Sequence, residues 1–194
     1  MRRNTMRIFL AICILFFTHL VCAEAEMAEK SVQAEKNTSR QTVNVEHATY
    51  VETPYKDPKV VFDFYFDNPL KINSALYWLR SYMNPLMAEP YNYAPEFMDI
   101  KVVIHGTEIV TVAKKNYPKY KEAVERMRYY AQLGVEFKVC GLAADDYGYN
   151  KKDFYDFIHI VPSAIPELAH WQTEGYALIR PIIMDKVFTI EEIR

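Results

Sequence analysis

The chain has 194 residues and a formal net charge of −2, from 23 basic and 25 acidic side chains. A charge so close to balance argues against a nucleic-acid partner, because proteins that bind a phosphate backbone carry a marked excess of Lys and Arg. The length fits one domain with additional segments, and the 15 Tyr and 11 Phe residues supply side chains for a well-filled core.

The first 23 residues have the organisation of a secretory signal peptide. Three arginines precede the apolar stretch 8–21, and the sequence VCA at 21–23 permits cleavage after Ala23. This stretch is shorter than the ~20 residues that a membrane-spanning helix needs. We therefore favour a cleaved leader over a retained anchor. The expected product is a periplasmic or secreted bacterial protein with no stable membrane span after cleavage and a net charge of −5.

Residues 24–57 are rich in Glu, Lys, Gln, Ser, Thr and Asn and show almost no periodicity. Such a composition is typical of a flexible polar tether. Only residues 42–52 carry a signal for a short strand or helix, and it is weak. A folded domain is expected over residues 58–194.

From residue 58 onward, strand patterns alternate with helix patterns. Alternation of apolar and polar residues and β-branched composition predict strands, and apolar residues at helical spacing predict helices. Pro85 and Pro90 are expected to end the first helix, and Asn116 and Gly134 to bracket the second. The strands are predicted at 59–67, 99–106, 135–141, 158–164 and within 176–181, and the helices at 72–83, 116–134, 150–157 and 165–175.

This β-α alternation predicts a parallel sheet covered by helices. In such sheets, ligands bind at the carboxyl ends of the strands. The residues at the predicted strand ends are Asp67, His105, Cys140 and Ser163, which we expect along one edge of the fold. Ser163 is interpreted as the cap of the last helix.

Cys140 is the main candidate on that edge. Leader cleavage removes the other two cysteines, so the mature chain cannot form an internal disulfide. A single cysteine in an exported protein indicates a free reactive thiol or an intermolecular disulfide. Alternation places Phe137 and Val139 on one face of the strand and Lys138 and Cys140 on the other, more polar face. A helical turn beginning at Gly141 would stabilise a thiolate.

The local pattern leaves a reactive Cys140 and a buried structural cysteine equally open. His105 ends the preceding strand and would approach Cys140 as a base or hydrogen-bond partner if the two strands are neighbours. A histidine satisfied by local backbone groups is the alternative. Glu108 is expected to be a solvated surface acid, and Trp171 to serve core packing or a subunit interface.

No metal site and no cofactor are predicted. The histidines have no metal-ligand spacing, and neither a glycine-rich phosphate loop nor a serine elbow is present. On the polar face of the strands, Asp63, Lys138 and His159 lead us to expect partial coverage by another subunit.

Three stretches of the domain together resemble a known family. VVIHGTE (102–108), RMRYYAQLGVEFKVCGLAADDYGY (126–149) and IVPSAIPELAHWQTEGYALIRP (160–181) are similar to the DsrE/DsrF-like (TusD-like) sulfur-relay family. The chain looks like an exported, single-domain member, with the resemblance covering about residues 58–181. It implies a three-layer α/β/α sandwich with a mainly parallel five-stranded sheet and assembly into homotrimers or hexamers. It also implies that Cys140 accepts sulfane sulfur as a persulfide.

Three hypotheses follow for function. The first is an exported sulfur-binding or sulfur-transfer protein that works through a Cys140 persulfide, with sulfur donor and acceptor proteins or small sulfane-sulfur compounds as partners. The second is a non-catalytic oligomeric binding or assembly module with an inert cysteine. The third is a redox partner that forms a mixed disulfide with another periplasmic thiol protein.

Overall fold

The computed structural model describes residues 48–194. The predicted leader and most of the predicted tether lie outside these residues. Residues 52–194 form one compact unit. Residues 48–57, the described part of the predicted tether, contain no helix or strand. Within residues 48–194, no helix is both long enough and apolar enough to cross a membrane.

A five-stranded parallel sheet lies at the centre of the fold. Its order is β4-β3-β2-β1-β5, and every neighbouring pair is parallel. This confirms the predicted fold class, and all five strands were predicted within a few residues. The strands are β1 (Lys59–Phe64), β2 (Asp99–Ile104), β3 (Glu136–Cys140), β4 (Ile158–Val161) and β5 (Ala177–Ile179).

Helices cover both faces of the sheet. Helices α1 and α2 pack their apolar stripes against one face, and α4 packs against the other. Single 3₁₀ turns connect several of these elements. The helices are α1 (Ile72–Met87), α2 (Tyr117–Gln132), α3 (Gly141–Asp146), α4 (Ala164–Thr173) and α5 (Ile190–Ile193).

The first helix continues past the residue that was expected to end it. Pro85 lies inside α1, which ends at Met87, and the backbone N–H of Ala88 still donates to the carbonyl of Asn84 at 3.1 Å. Pro85 removes one intrahelical hydrogen bond. The last turn nevertheless forms, because Leu86 is buried in the core.

The helix predicted at 150–157 is also wrong. Only one 3₁₀ turn forms there, at Lys151–Asp153, where Asn150 and Asp153 bond reciprocally to each other's backbone N–H groups. Phe154 then adopts an extended backbone and enters the core. Burial of this ring therefore overrides the helical propensity of the segment.

The ends of α2 show which capping predictions hold. Gly134, just beyond the helix, has φ +94°, a left-handed conformation that favours glycine. Asn116 occupies the N-cap position, but its side chain does not cap the helix. Its Nδ2 donates instead to the Val110 carbonyl at 2.8 Å and to the Tyr149 hydroxyl at 3.2 Å. Ser163 likewise sits at the N-cap of α4 without a capping hydrogen bond.

The two faces of the sheet bury different side chains. Facing α1 and α2, the strands contribute a continuous apolar layer that includes Phe62, Val102 and Phe137. Facing α4, only a small apolar cluster forms, and charged side chains surround it. The candidate site lies on this second face.

Candidate functional site

The predicted strand ends meet along one edge, as expected. Because β4, β3, β2 and β1 are parallel neighbours, their carboxyl ends lie side by side. The β1–β2 ladder continues beyond the strands, since the backbone N–H of His105 donates to the Phe64 carbonyl at 3.1 Å and that of Thr107 to the Phe66 carbonyl at 2.9 Å. The candidate residues on β2 and β3 are therefore held by regular backbone structure.

Cys140 ends β3 and occupies the N-cap position of α3. Its alternation was predicted correctly, because it lies on the face opposite Phe137 and Val139. That face is apolar at this point, and Cys140 is only 6% exposed. The thiol belongs to a small cluster with Val61, Val103, Ala164, Leu168 and Tyr176. It is the free cysteine of residues 48–194, and its Sγ forms no hydrogen bond within them.

His105 is held by a fully buried carboxylate. Its Nε2 lies 2.7 Å from Oδ1 of Asp63, and its ring stacks on Tyr65 with centroids 4.8 Å apart. Arg180, just after β5, approaches the other oxygen, with Nε donating to Oδ2 of Asp63 at 2.6 Å and Nη2 pairing with the same atom. Asp63 thus joins groups from three strands. The His105 ring is therefore held by a side chain from a neighbouring strand, and the alternative that local backbone groups satisfy it is wrong for the ring.

The balance of forces on Asp63 keeps it ionised. Burial raises the pKa of the carboxyl, but hydrogen bonds and charge attraction from His105 and Arg180 outweigh it and hold the pKa below its usual value. The carboxylate therefore remains an acceptor for both donors at neutral pH. A carboxylate bonded to Nε2–H of His105 also selects the tautomer whose Nδ1 is the unprotonated nitrogen.

His105 and Cys140 are neighbours in register. Ile104 pairs with Val139 across β2 and β3, so His105 and Cys140 are the next residues on adjacent strands. Strand spacing places their backbones about 4.8 Å apart and alternation puts their side chains on the same face. The structure shows no hydrogen bond between the two side chains within residues 48–194, and Nε2 of His105 is directed at Asp63 on β1. The two predicted site residues therefore lie side by side without direct bonding.

Glu108 is not the solvated surface acid that was expected. Its side chain is fully buried, and its two oxygens accept three backbone N–H groups, from Phe66 at 3.0 Å, Gly106 at 2.9 Å and His105 at 3.2 Å. Burial raises the pKa of Glu108 even though these hydrogen bonds act in the opposite direction. The carboxyl group therefore clamps the ends of β1 and β2 together beneath His105.

Gly106 is required by the same clamp. A Cβ at this position would lie 2.5 Å from the backbone nitrogen of Phe66 and 2.6 Å from Oε2 of Glu108. No side chain fits in that space. The close approach of the two strand ends thus depends on this glycine.

An ion network occupies the rest of the α4 face. Lys101 pairs with Asp99 at 2.7 Å and Glu136 at 2.5 Å, and Lys138 lies 3.3 Å from both Glu136 and Glu167. Both lysines lie over the Trp171 ring, with Nζ 4.8 Å and 5.2 Å from its centroid.

The single chain therefore covers most of the polar face, over which a partner chain was expected. Asp63 is fully buried and Lys138 largely buried within the single chain, whereas His159 on β4 is exposed. Trp171 and Tyr176 pack against the same face, which agrees with the core-packing interpretation. The remaining strand-end acid, Asp67, is a surface residue paired with Lys71 at 2.8 Å.

Sequence reasoning did not find Arg180 as part of this site. It lies 117 residues from Asp63 along the chain, and only the placement of β5 beside β1 brings them together. Asp63 itself gave a signal, because it is a carboxylate inside the apolar run VVFDFYF. A charged residue in a buried strand needs a partner. Across residues 48–194, no group of three His, Cys, Asp or Glu side chains is placed to hold a metal ion.

Comparison with known families matches the domain over most of its length. The model of the DsrE/DsrF-like family matches residues 59–181, which includes every strand of the sheet and the Asp63, His105, Cys140 and Arg180 positions. No curated protein matches the chain.

Two solved structures match part of the chain. The protein of unknown function MTH1491 from Methanobacterium thermoautotrophicum is 23% identical with a TM-score of 0.52, and the match covers 64% of this chain and 100% of that one. The ychN protein from E. coli is 14% identical with a TM-score of 0.44, over 63% of this chain and 97% of that one. The similarity to MTH1491 supports the α/β architecture alone.

Proposed function

The chain belongs to the DsrE/DsrF-like family, and from this premise we propose that it is an exported sulfur carrier that holds sulfane sulfur as a persulfide on Cys140. Family membership indicates a role in sulfur relay. The observation that supports the finer proposal is the position of Cys140, a free thiol at the carboxyl end of β3 with His105 next to it in register. This is the edge at which α/β sheets of this kind bind ligands.

Sulfur transfer at Cys140 needs no change in overall oxidation state. The thiolate attacks the outer sulfur of a sulfane compound such as thiosulfate, the S–S bond of the donor breaks, and sulfite leaves with the bonding electron pair. The product is a persulfide anion on Cys140. An acceptor thiolate then attacks the outer sulfur of this persulfide, forms a new persulfide and returns Cys140 as a thiolate, in the manner of thiol–disulfide exchange.

His105 provides the proton acceptor for this cycle. Asp63 accepts the hydrogen on Nε2, so Nδ1 is the nitrogen able to take the thiol proton when Cys140 ionises. Arg180 and Glu108 act indirectly, the first by holding Asp63 and the second by holding the backbone of His105. The transfer takes place between sulfur atoms and uses no cofactor.

Mass spectrometry tests the persulfide directly. The folded mature chain, residues 24–194, is reduced, freed of the reductant and incubated with thiosulfate or polysulfide, and peptide mapping then locates the added sulfur. We expect one extra sulfur atom on the peptide containing Cys140 and none in Cys140→Ser. Ser163→Ala, at the end of the neighbouring strand, serves as the matched control and should load like the wild type. An unmodified Cys140, or equal addition of sulfur to Cys140→Ser, would refute the proposal.

A second function is favoured by one observation, the burial of the thiol. Cys140 is 6% exposed and packs among apolar side chains, as expected for a non-catalytic oligomeric binding or assembly module. Alkylation of the folded protein between about pH 6 and 9, where ordinary thiols begin to ionise, separates the two. Reaction at a rate that rises with pH supports the carrier. Resistance over the whole range, with full reaction after unfolding, supports the inert module.

Export and assembly belong to the same proposal and have their own tests. Fractionation of cells producing the full chain should place the protein outside the cytoplasm with residues 1–23 removed. Light scattering at micromolar concentration should give the mass of a trimer or hexamer. A cytoplasmic full-length product would overturn export, and a monomeric mass would overturn assembly, in each case leaving the chemistry of Cys140 to be judged separately.

A further inference from the structure

A groove far from Cys140 runs along the outer side of α1 and α2, where residues 182–186 cross the two helices. Its volume is about 810 Å³, within the range of small-molecule sites, ~300–1,000 Å³. One wall is a single face of α1 and the other a single face of α2. The residues that matter are Asn73, Tyr77, Trp78 and Arg80 on α1, Arg126 on α2 and Lys186 beyond β5.

The groove carries an excess of positive charge that no ion pair within residues 48–194 neutralises. Arg80, Arg126 and Lys186 line it, against one acid, Glu122. Within residues 48–194 none of the three cations forms an ion pair. Arg126 is half-buried and uses only Nη1, which donates to the Asn73 carbonyl at 3.3 Å. The other guanidinium N–H groups are available, a pattern suited to phosphate or carboxylate oxygens.

Asn73 supplies an independent sign of a missing ligand. Its Oδ1 is buried and has no hydrogen-bond partner, although the residue lines the groove. A buried acceptor left without a donor is destabilising, so an N–H group from a ligand would relieve this deficit once Oδ1 turns toward the groove. Beside it, the Tyr77 and Trp78 rings are 54% and 40% exposed. The Arg80 guanidinium lies over the Tyr77 ring, 4.7 Å from its centroid, so Trp78 is the ring that offers a surface for stacking a planar group.

We propose that this groove binds a small organic anion of the nucleoside phosphate class. The guanidinium and ammonium groups bind the phosphates, Trp78 contacts the base, and Asn73 Oδ1 accepts from a base N–H. The site is separate from the strand-end edge, and the inference does not depend on the proposed sulfur chemistry.

Fluorescence titration of the full chain with ADP tests the proposal. The protein has two tryptophans, and we expect saturable quenching that Trp78→Phe abolishes. Arg80→Glu should weaken ADP binding by about tenfold or more, because it removes a charge-assisted contact and adds repulsion. Lys121→Glu is the matched control, since it makes the same charge change on an exposed position of α2 outside the groove. Asn73→Leu should weaken ADP more than pyrophosphate.

Each alternative outcome counts against the proposal. Absence of saturable ADP binding, or equal losses in Arg80→Glu and Lys121→Glu, would overturn the site. Pyrophosphate binding as tightly as ADP would overturn the role of the base. Binding of a glutamate-rich peptide but not ADP would show that the groove is a docking surface for acidic protein segments. Circular dichroism of each variant establishes that the fold is retained.

Discussion

The two faces of the sheet are built from alternate residues of the same strands and differ in almost every property. Toward α1 and α2, Phe62, Val102 and Phe137 form a continuous apolar layer with no charge in it. Toward α4, Lys101 and Asp63 share the surface with a small apolar cluster. The period of two in a strand allows one segment of chain to serve both purposes.

One face of the sheet therefore serves mainly stability, and the other carries the reactive groups. The apolar face excludes water over a large area and supplies most of the driving force for folding. The α4 face keeps carboxylates and cations in fixed positions, and it carries the thiol of Cys140 and the ring of His105 next to each other. We expect substitutions on the first face to act mainly on unfolding, and those on the second to act on pH dependence and reactivity.

The largest effect is expected from Phe62→Ala on the apolar face. This ring is 1% exposed and contacts the Phe64 and Tyr82 rings edge-on. Its removal should lower the free energy of unfolding by about 3–5 kcal/mol, through lost burial and a residual cavity. Urea denaturation measures the loss. The control is Tyr129→Ala, at a position of α2 where the side chain is 55% exposed; it should lower the free energy of unfolding by no more than about 0.5 kcal/mol. Similar losses for the two variants would contradict the assignment of the core.

A smaller effect with a distinct pH dependence is expected from Asp63→Asn. At neutral pH the variant should lose about 1–3 kcal/mol of stability, because an amide cannot accept from both His105 and Arg180. The loss falls toward the low end because the Arg180 guanidinium is largely exposed and screened by water.

The sign of the pH dependence follows from the lowered pKa of Asp63. The stability that the carboxylate contributes is fully present above its unfolded pKa of about 3.8 and is lost as the pH falls through the lower folded pKa. The contribution of the Asp63 carboxylate should therefore keep the free energies of unfolding of wild type and Asp63→Asn apart down to about pH 4. Below that pH the two values should converge. A gap that widens on acidification would refute this. Asp67→Asn, on the surface, is the control.

The smallest effect is expected from Lys101→Met in the ion network. Lys101 is buried, but its partners Asp99 and Glu136 are 43% and 40% exposed and can be hydrated without it. Replacing a buried cation by an apolar side chain of similar length should change stability by about 1 kcal/mol or less. Thermal unfolding measures this. Lys101→Ala should lower the stability more than Lys101→Met does, because it also loses the packing of the aliphatic stem on Trp171.

Local patterns were sufficient to predict most of the architecture. Alternating strands, helical spacing and the glycine after α2 lie within short windows of sequence, so they could be located without knowing the rest of the fold. The face on which Cys140 lies was predicted in the same way. Pro85 was misjudged because burial of Leu86 holds the last turn of α1, and that burial depends on distant residues.

The candidate site was predicted only in part. Cys140 and His105 were placed at one sheet edge, and the structure puts them on adjacent strands in register. Glu108 was assigned to the surface because three residues of sequence after a strand do not reveal a loop that turns inward. Its burial depends on the backbone N–H of Phe66, 42 residues away, which donates to Oε2 of Glu108.

By itself, the sequence determined the order of the strands along the chain, the alternation within each strand and the residues at their carboxyl ends. These properties depend on neighbours a few residues apart and on the periods of the two regular structures. Tertiary structure alone decided that β5 lies beside β1, that Arg180 therefore meets Asp63, and that the thiol of Cys140 is buried under α4. Such contacts join distant segments and form only when the whole sheet is assembled, because the burial that stabilises them is shared by every element of the fold.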